Sequence, residues 1–158
     1  MSIVVYFALT WLLIGCFIAL NNKMNLMEST VVFLVTLVVS INASWILIEE
    51  MELIQVTEQP EEYIGYLLNR SVITPLIVMI GIILMIKSEN FISKAISYIG
   101  AFVLLTGVNY SLTYFGVFEF VNWNIIYDLI YFAALMLIAV LTYKSYHNLY
   151  DKEAVKHT

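Results

Sequence analysis

Five long stretches of this chain are so apolar that lipid, and not water, must be their solvent. They run at about 3–20, 29–48, 64 or 71 to 86, 95–118 and 124–143. A helix needs roughly 20 mainly apolar residues to cross about 30 Å of hydrocarbon, where every backbone N–H and C=O must be satisfied internally. The expected fold is therefore all-α, an integral membrane bundle of five transmembrane helices. Of 158 residues, 62% are hydrophobic and 12% charged, whereas about a quarter would be charged in a soluble domain. The spans leave no segment large enough for a further domain. Residues 1–150 thus read as a single membrane domain and 151–158 as a charged cytoplasmic tail.

Orientation follows from the basic residues. Lys23, Lys87, Lys94, Lys144, Lys152 and Lys156 all fall on one side of the five spans, and only Arg70 falls on the other. The positive-inside rule then places the amino terminus outside and the carboxyl terminus in the cytoplasm. No cluster of Lys and Arg is present to meet phosphates, which argues against a nucleic-acid partner. The first apolar stretch lacks a basic leader and a small-residue cleavage pattern, so it reads as a retained span. Cys16, the single cysteine, sits in that span and reads as a small packing residue.

The segment between the second and third spans is acidic, with Glu49, Glu50, Glu52, Glu58, Glu61 and Glu62 close together. Its spacing is not that of a calcium-binding loop, and a solvated acidic outer loop is the expectation. Gln59-Pro60-Glu61-Glu62 reads as a helix start, because proline suits the first helical position and carboxylates favour the positive end of the helix dipole. A short interfacial helix between spans 2 and 3 is expected there. If the third span begins at Ser71, Arg70 is interfacial; if it begins at Ile64, Arg70 lies within the outer leaflet and needs a carboxylate partner. The fourth span is expected to run to Phe118, followed by a tight outer turn at Val121-Asn122-Trp123-Asn124. Tyr143, Tyr146 and Tyr150 suggest an amphipathic extension along the inner headgroups.

Strongly polar residues within the spans are few. Asn42, Asn109 and Asp128, with Asn69 and Arg70 near the outer margin, form the candidate intramembrane polar cluster. Their similar depth permits an outward-facing pocket, and interhelical hydrogen bonding is the alternative. Thr36, Ser40 and Ser44 recur at helical spacing and read as helix-packing surface. The two histidines, His147 and His157, lie near the carboxyl terminus, away from any intramembrane metal or haem site. No phosphate loop or nucleophile elbow occurs, and no base accompanies the hydroxyls of the spans. No catalytic residue, metal site or cofactor is expected.

The stretches Asn42-Ala43-Ser44-Trp45, Glu49-Glu50, Leu67-Leu68-Asn69-Arg70-Ser71-Val72-Ile73-Thr74-Pro75, Tyr114-Phe115-Gly116 and Asn122-Trp123-Asn124 give a pattern that resembles a group of small, uncharacterised five-span membrane proteins from low-GC Gram-positive bacteria. The resemblance implies topology and bacterial origin, and no activity. The functional expectation is a non-enzymatic multi-pass plasma-membrane protein, an accessory, sensory or immunity-type subunit. Its expected partners are the lipid bilayer and another membrane protein. The alternative is a small transporter or channel with an outward-facing polar pocket.

Overall fold

The computed structural model describes residues 2–22, 24–121 and 123–156, without the side chains of Ser2, Phe120 and residues 150–156. Lys23, Asn122 and His157 therefore lie outside the described residues. Among the described residues five helices are long and apolar enough to cross a membrane. They are α1 (Ser2–Leu20), α2 (Leu26–Glu50), α3 (Pro60–Lys87), α4 (Phe91–Tyr114) and α5 (Ile125–Lys156). Their outer surface includes Trp11, Leu12, Ile18, Val38, Val103 and Ile130, all exposed, which suits hydrocarbon and would be unfavourable in water.

The third helix organises the bundle. In its most apolar window 61% of residues are buried, against 11–28% in the other four helices. Ile73, Val78, Met79, Ile82 and Ile83 have essentially no exposed surface, and α1, α2 and α4 pack around them. Helix association in lipid depends on close van der Waals packing, so a small residue where two backbones approach is valuable. Gly81 supplies it: a Cβ there would fall 2.6 Å from the Cβ of Ala101 on α4. On the opposite side Gly65 makes room for Tyr6 of α1, whose ring carbon would lie 3.1 Å from an added Cβ. The Tyr6 hydroxyl then donates to Ser111 Oγ on α4 at 2.9 Å, while the Ser111 proton goes to Val108 O.

Pro60 does open α3, as its position before two glutamates implied. The helix continues without a break to Lys87, so the segment expected as a short helix of its own is joined directly to the third candidate span. At 1.5 Å per residue its 28 residues extend about 42 Å, longer than the hydrocarbon is thick. The irregularity lies within it. Pro75 has no N–H to donate to Ser71 O, and the chain responds with a π-helical turn over Asn69–Ile73. Thr74 N–H reaches back to Asn69 O, which frees Arg70 O, and Ser40 Oγ of α2 donates to that carbonyl at 3.1 Å.

The fourth span ends at Tyr114 and not at Phe118. Gly116 takes a left-handed conformation, φ +68°, where a side chain would be strained. Gly116 N–H bonds Thr113 O and Val117 N–H bonds Leu112 O at 2.9 Å, which closes the helix in a Schellman motif with Leu112 and Val117 both buried. The last residue of the expected fourth span, Phe118, begins a strand instead, and the expected outer turn at 121–124 includes Asn122, outside the described residues. β2 (Phe118–Phe120) pairs antiparallel with β1 (Ile54–Val56), Gln55 opposite Glu119. Thr57 N–H to Val117 O and Val121 N–H to Leu53 O extend the ribbon at both ends. The α2–α3 and α4–α5 connections are thereby fastened together at one end of the bundle, called here the glutamate-bearing end.

At the other end α5 continues as one helix through Lys156, with no break after Tyr143.

Candidate functional site

The polar residues of the spans separate into three groups. Asn42 joins none of the contacts between helices: it is exposed, and its amide donates to Val38 O of its own helix at 2.7 Å. Asn109 and Asp128 do meet. Asp128 is 5% exposed, and its two carboxylate oxygens accept one hydrogen bond each, from Asn109 Nδ2 at 3.0 Å and from Trp123 Nε1 at 2.8 Å. This clasp ties α4, α5 and the connection between them. The grooves beside it are apolar, one lined by Phe102, Tyr110, Ile125 and Leu129 and another by Ala43, Leu47, Trp123 and Tyr131.

Arg70 and Asn69 belong to the third group, on the π-helical turn of α3. Asn69 is buried and its side-chain oxygen has no hydrogen-bond partner. Arg70 departs from expectation, because no carboxylate among the described residues pairs with it. Its guanidinium instead lies 5.2 Å from the centre of the Tyr66 ring, with Nη1 donating to the Tyr66 hydroxyl at 3.4 Å. The ring one helical turn earlier is close enough to substitute for a counter-ion through its quadrupole. Below it Tyr131 of α5 donates to Ser40 Oγ at 3.3 Å, so that Ser40, one of the three residues of the expected packing stripe, connects α2, α3 and α5. Thr36 is fully buried in the same stripe and donates to Val32 O.

Above Arg70 a cavity of about 640 Å³ opens at the glutamate-bearing end. Its wall comes from the last turns of α2 (Trp45, Glu49), from Glu58 before α3, and from Tyr63, Tyr66 and Arg70. The volume lies in the range of small-ligand pockets, and the lining mixes aromatic rings with charged groups. Glu49 and Glu58 reach it from two sides of the β1 connection, while Glu50, Glu52 and Glu61 are exposed elsewhere on the same end. Among the described residues no group of three His, Cys, Asp or Glu side chains converges as a metal site.

A further polar contact lies at the opposite end, where Glu28 is 3% exposed at the start of α2. Its Oε2 accepts from the Asn25 N–H at 3.0 Å, and its Oε1 lies 2.8 Å from Nδ1 of His147 on α5. Asn25 followed three residues later by Glu28 is a helix-start signal that sequence reading passed over. The histidine partner is 119 residues away and had no local signal. Replacing Glu28 with alanine strands the Asn25 N–H and releases His147. Thermal unfolding in detergent should show a loss of about 1–3 kcal/mol, whereas an unchanged midpoint would mean that this contact holds nothing together.

Family models, characterised proteins and solved structures give no match to this chain, so the chemistry of the site rests on its own geometry.

Proposed function

We propose that the chain is a non-enzymatic multi-pass protein of the plasma membrane, an accessory, sensory or immunity-type subunit that presents its glutamate-bearing end to the exterior. The observation that carries this reading is the separation of the polar groups. Asp128, the carboxylate that a transport pathway would use, has both oxygens engaged by Trp123 and Asn109. The polar cavity lies instead at the end of the bundle, roofed by the connection that contains β1. Such a cavity is placed to receive a ligand and pass its effect along α3, which touches every other helix. The hydroxyls of Ser40, Thr36 and Ser111 donate to main-chain carbonyls and to no base, which supports a role without catalysis.

The lysine-bearing connections face the cytoplasm in this arrangement, and the partners are the bilayer and a second membrane protein. Reconstitution into liposomes tests the proposal. Vesicles carrying the protein should be as tight to ions and small solutes as protein-free vesicles. A flux that falls on Asp128→Asn would overturn it and establish a transporter.

A further inference from the structure

The cavity above Arg70 contains charges of both signs that are not spent on one another. Arg70 leans on Tyr66 through a long hydrogen bond and a ring contact, and its Nε is out of solvent with no partner. Glu49 and Glu58 line the same space as exposed carboxylates, and neither forms an ion pair with Arg70. A free anion would be drawn to the guanidinium and repelled by the two carboxylates; a free cation would meet the converse. A molecule with both charges a few bonds apart satisfies each wall, and the rings of Trp45 and Tyr63 add favourable surface for an ammonium group.

We propose that this cavity binds a zwitterionic phospho-amine, with its phosphate on Arg70 and its ammonium between Glu49 and Glu58 beside Trp45 and Tyr63. The inference rests on the cavity being the outward ligand site described above, and it adds the chemical class of the ligand. Position supports it: Arg70 is ten residues, about 15 Å, inside a helix whose 28 residues exceed the hydrocarbon thickness, so that with Lys87 at the inner boundary Arg70 falls near the depth at which lipid phosphates give way to chains. The same chemistry is available from a phosphatidylethanolamine headgroup in the surrounding leaflet and from a free phospho-amine in solution.

Calorimetric titration of the purified chain in nanodiscs of phosphatidylglycerol separates these ideas, with phosphoethanolamine, inorganic phosphate and ethanolamine as probes. Phosphoethanolamine should bind at least about tenfold more tightly than either fragment. Arg70→Met, which keeps the stem over Tyr66, should remove binding of phosphoethanolamine, and Arg70→Lys should retain part of it, so that lost charge is distinguished from lost fold. Glu49→Gln with Glu58→Gln should weaken phosphoethanolamine by about tenfold and leave phosphate unchanged or tighter. In nanodiscs of phosphatidylethanolamine, weaker apparent binding of the free probe identifies the lipid headgroup as occupant, and equal binding identifies the soluble molecule; both support the proposal. Phosphate binding as tightly as phosphoethanolamine would overturn it in favour of a simple anion site. Absence of heat with every probe in both lipids, from protein that is monodisperse and helical, would overturn it outright. The liposome flux measurement decides the broader functional reading independently of these outcomes.

Discussion

Leucine at position 81 should leave little folded protein in the membrane. Gly81 sits at a close approach of α3 and α4, where even the first carbon of a side chain would stand 2.6 Å from the Ala101 Cβ, with Met136 Cε of α5 at 3.4 Å. Real carbon atoms do not approach so closely, so α4 must move away from the helix against which it packs. Overfilling a packed interior typically costs about 1–3 kcal/mol for each small addition, and leucine adds several carbons at once. The graded version is more informative. Gly81→Ala alone should destabilise by about 1–3 kcal/mol, and combining it with Ala101→Gly should recover most of that loss, because the second change removes the atom struck by the first. Denaturation in mixed micelles measures both. Additive destabilisation in the double variant would show that the two residues do not meet.

The second large effect is expected at Asp128. Its carboxylate accepts from Trp123 and Asn109 while 5% exposed, so Asp128→Ala strands two donors in a region with little water. A stranded buried donor costs about 1–3 kcal/mol, and with both of these donors part-buried the pair should lower stability by about 1–4 kcal/mol. Asp128→Asn has one carbonyl oxygen and an amide that donates, so it can accept well from one neighbour only and should fall between parent and alanine. The clasp also positions the Trp123 indole. Its fluorescence should shift to the red in Asp128→Ala, as the connection before α5 loosens. Parental stability and emission in the alanine variant would contradict the clasp.

The number of the helices was legible because the apolar runs are bounded by residues that hydrocarbon rejects, among them Asn21-Asn22, Gln59-Pro60 and Lys87-Ser88-Glu89-Asn90. The ribbon was not. β1 and β2 have three residues each, too few for the alternation of a strand to register, and their pairing joins connections more than sixty residues apart in the chain. Gly116 did carry a usable signal, since a glycine just after a helix favours the left-handed cap that stops α4 at Tyr114. Pro75 likewise foreshadowed irregular backbone near Arg70, although not that Ser40 would occupy the freed carbonyl.

The candidate site was legible only in its parts. Asn109 and Asp128 were expected in one cluster with Arg70 and Asn42, because depth along a helix can be read from sequence and direction around it cannot until packing is known. Asn42 lies on an exposed face, and Arg70 projects toward Tyr66 and the cavity above it. The aromatic wall of that cavity was hidden for the same reason. Trp45, Tyr63 and Tyr66 are ordinary boundary residues in sequence and become a site only when the end of α2 and the start of α3 are brought together.

Cysteine accessibility in intact cells tests most directly the threading on which the outward cavity depends. In a Cys16→Ala background, Glu58→Cys and Glu119→Cys should react with a membrane-impermeant maleimide from the exterior, and Asn90→Cys should react only after the membrane is permeabilised. Labelling of Asn90→Cys in sealed cells, with Glu58→Cys and Glu119→Cys protected, would contradict the arrangement and turn the cavity toward the cytoplasm.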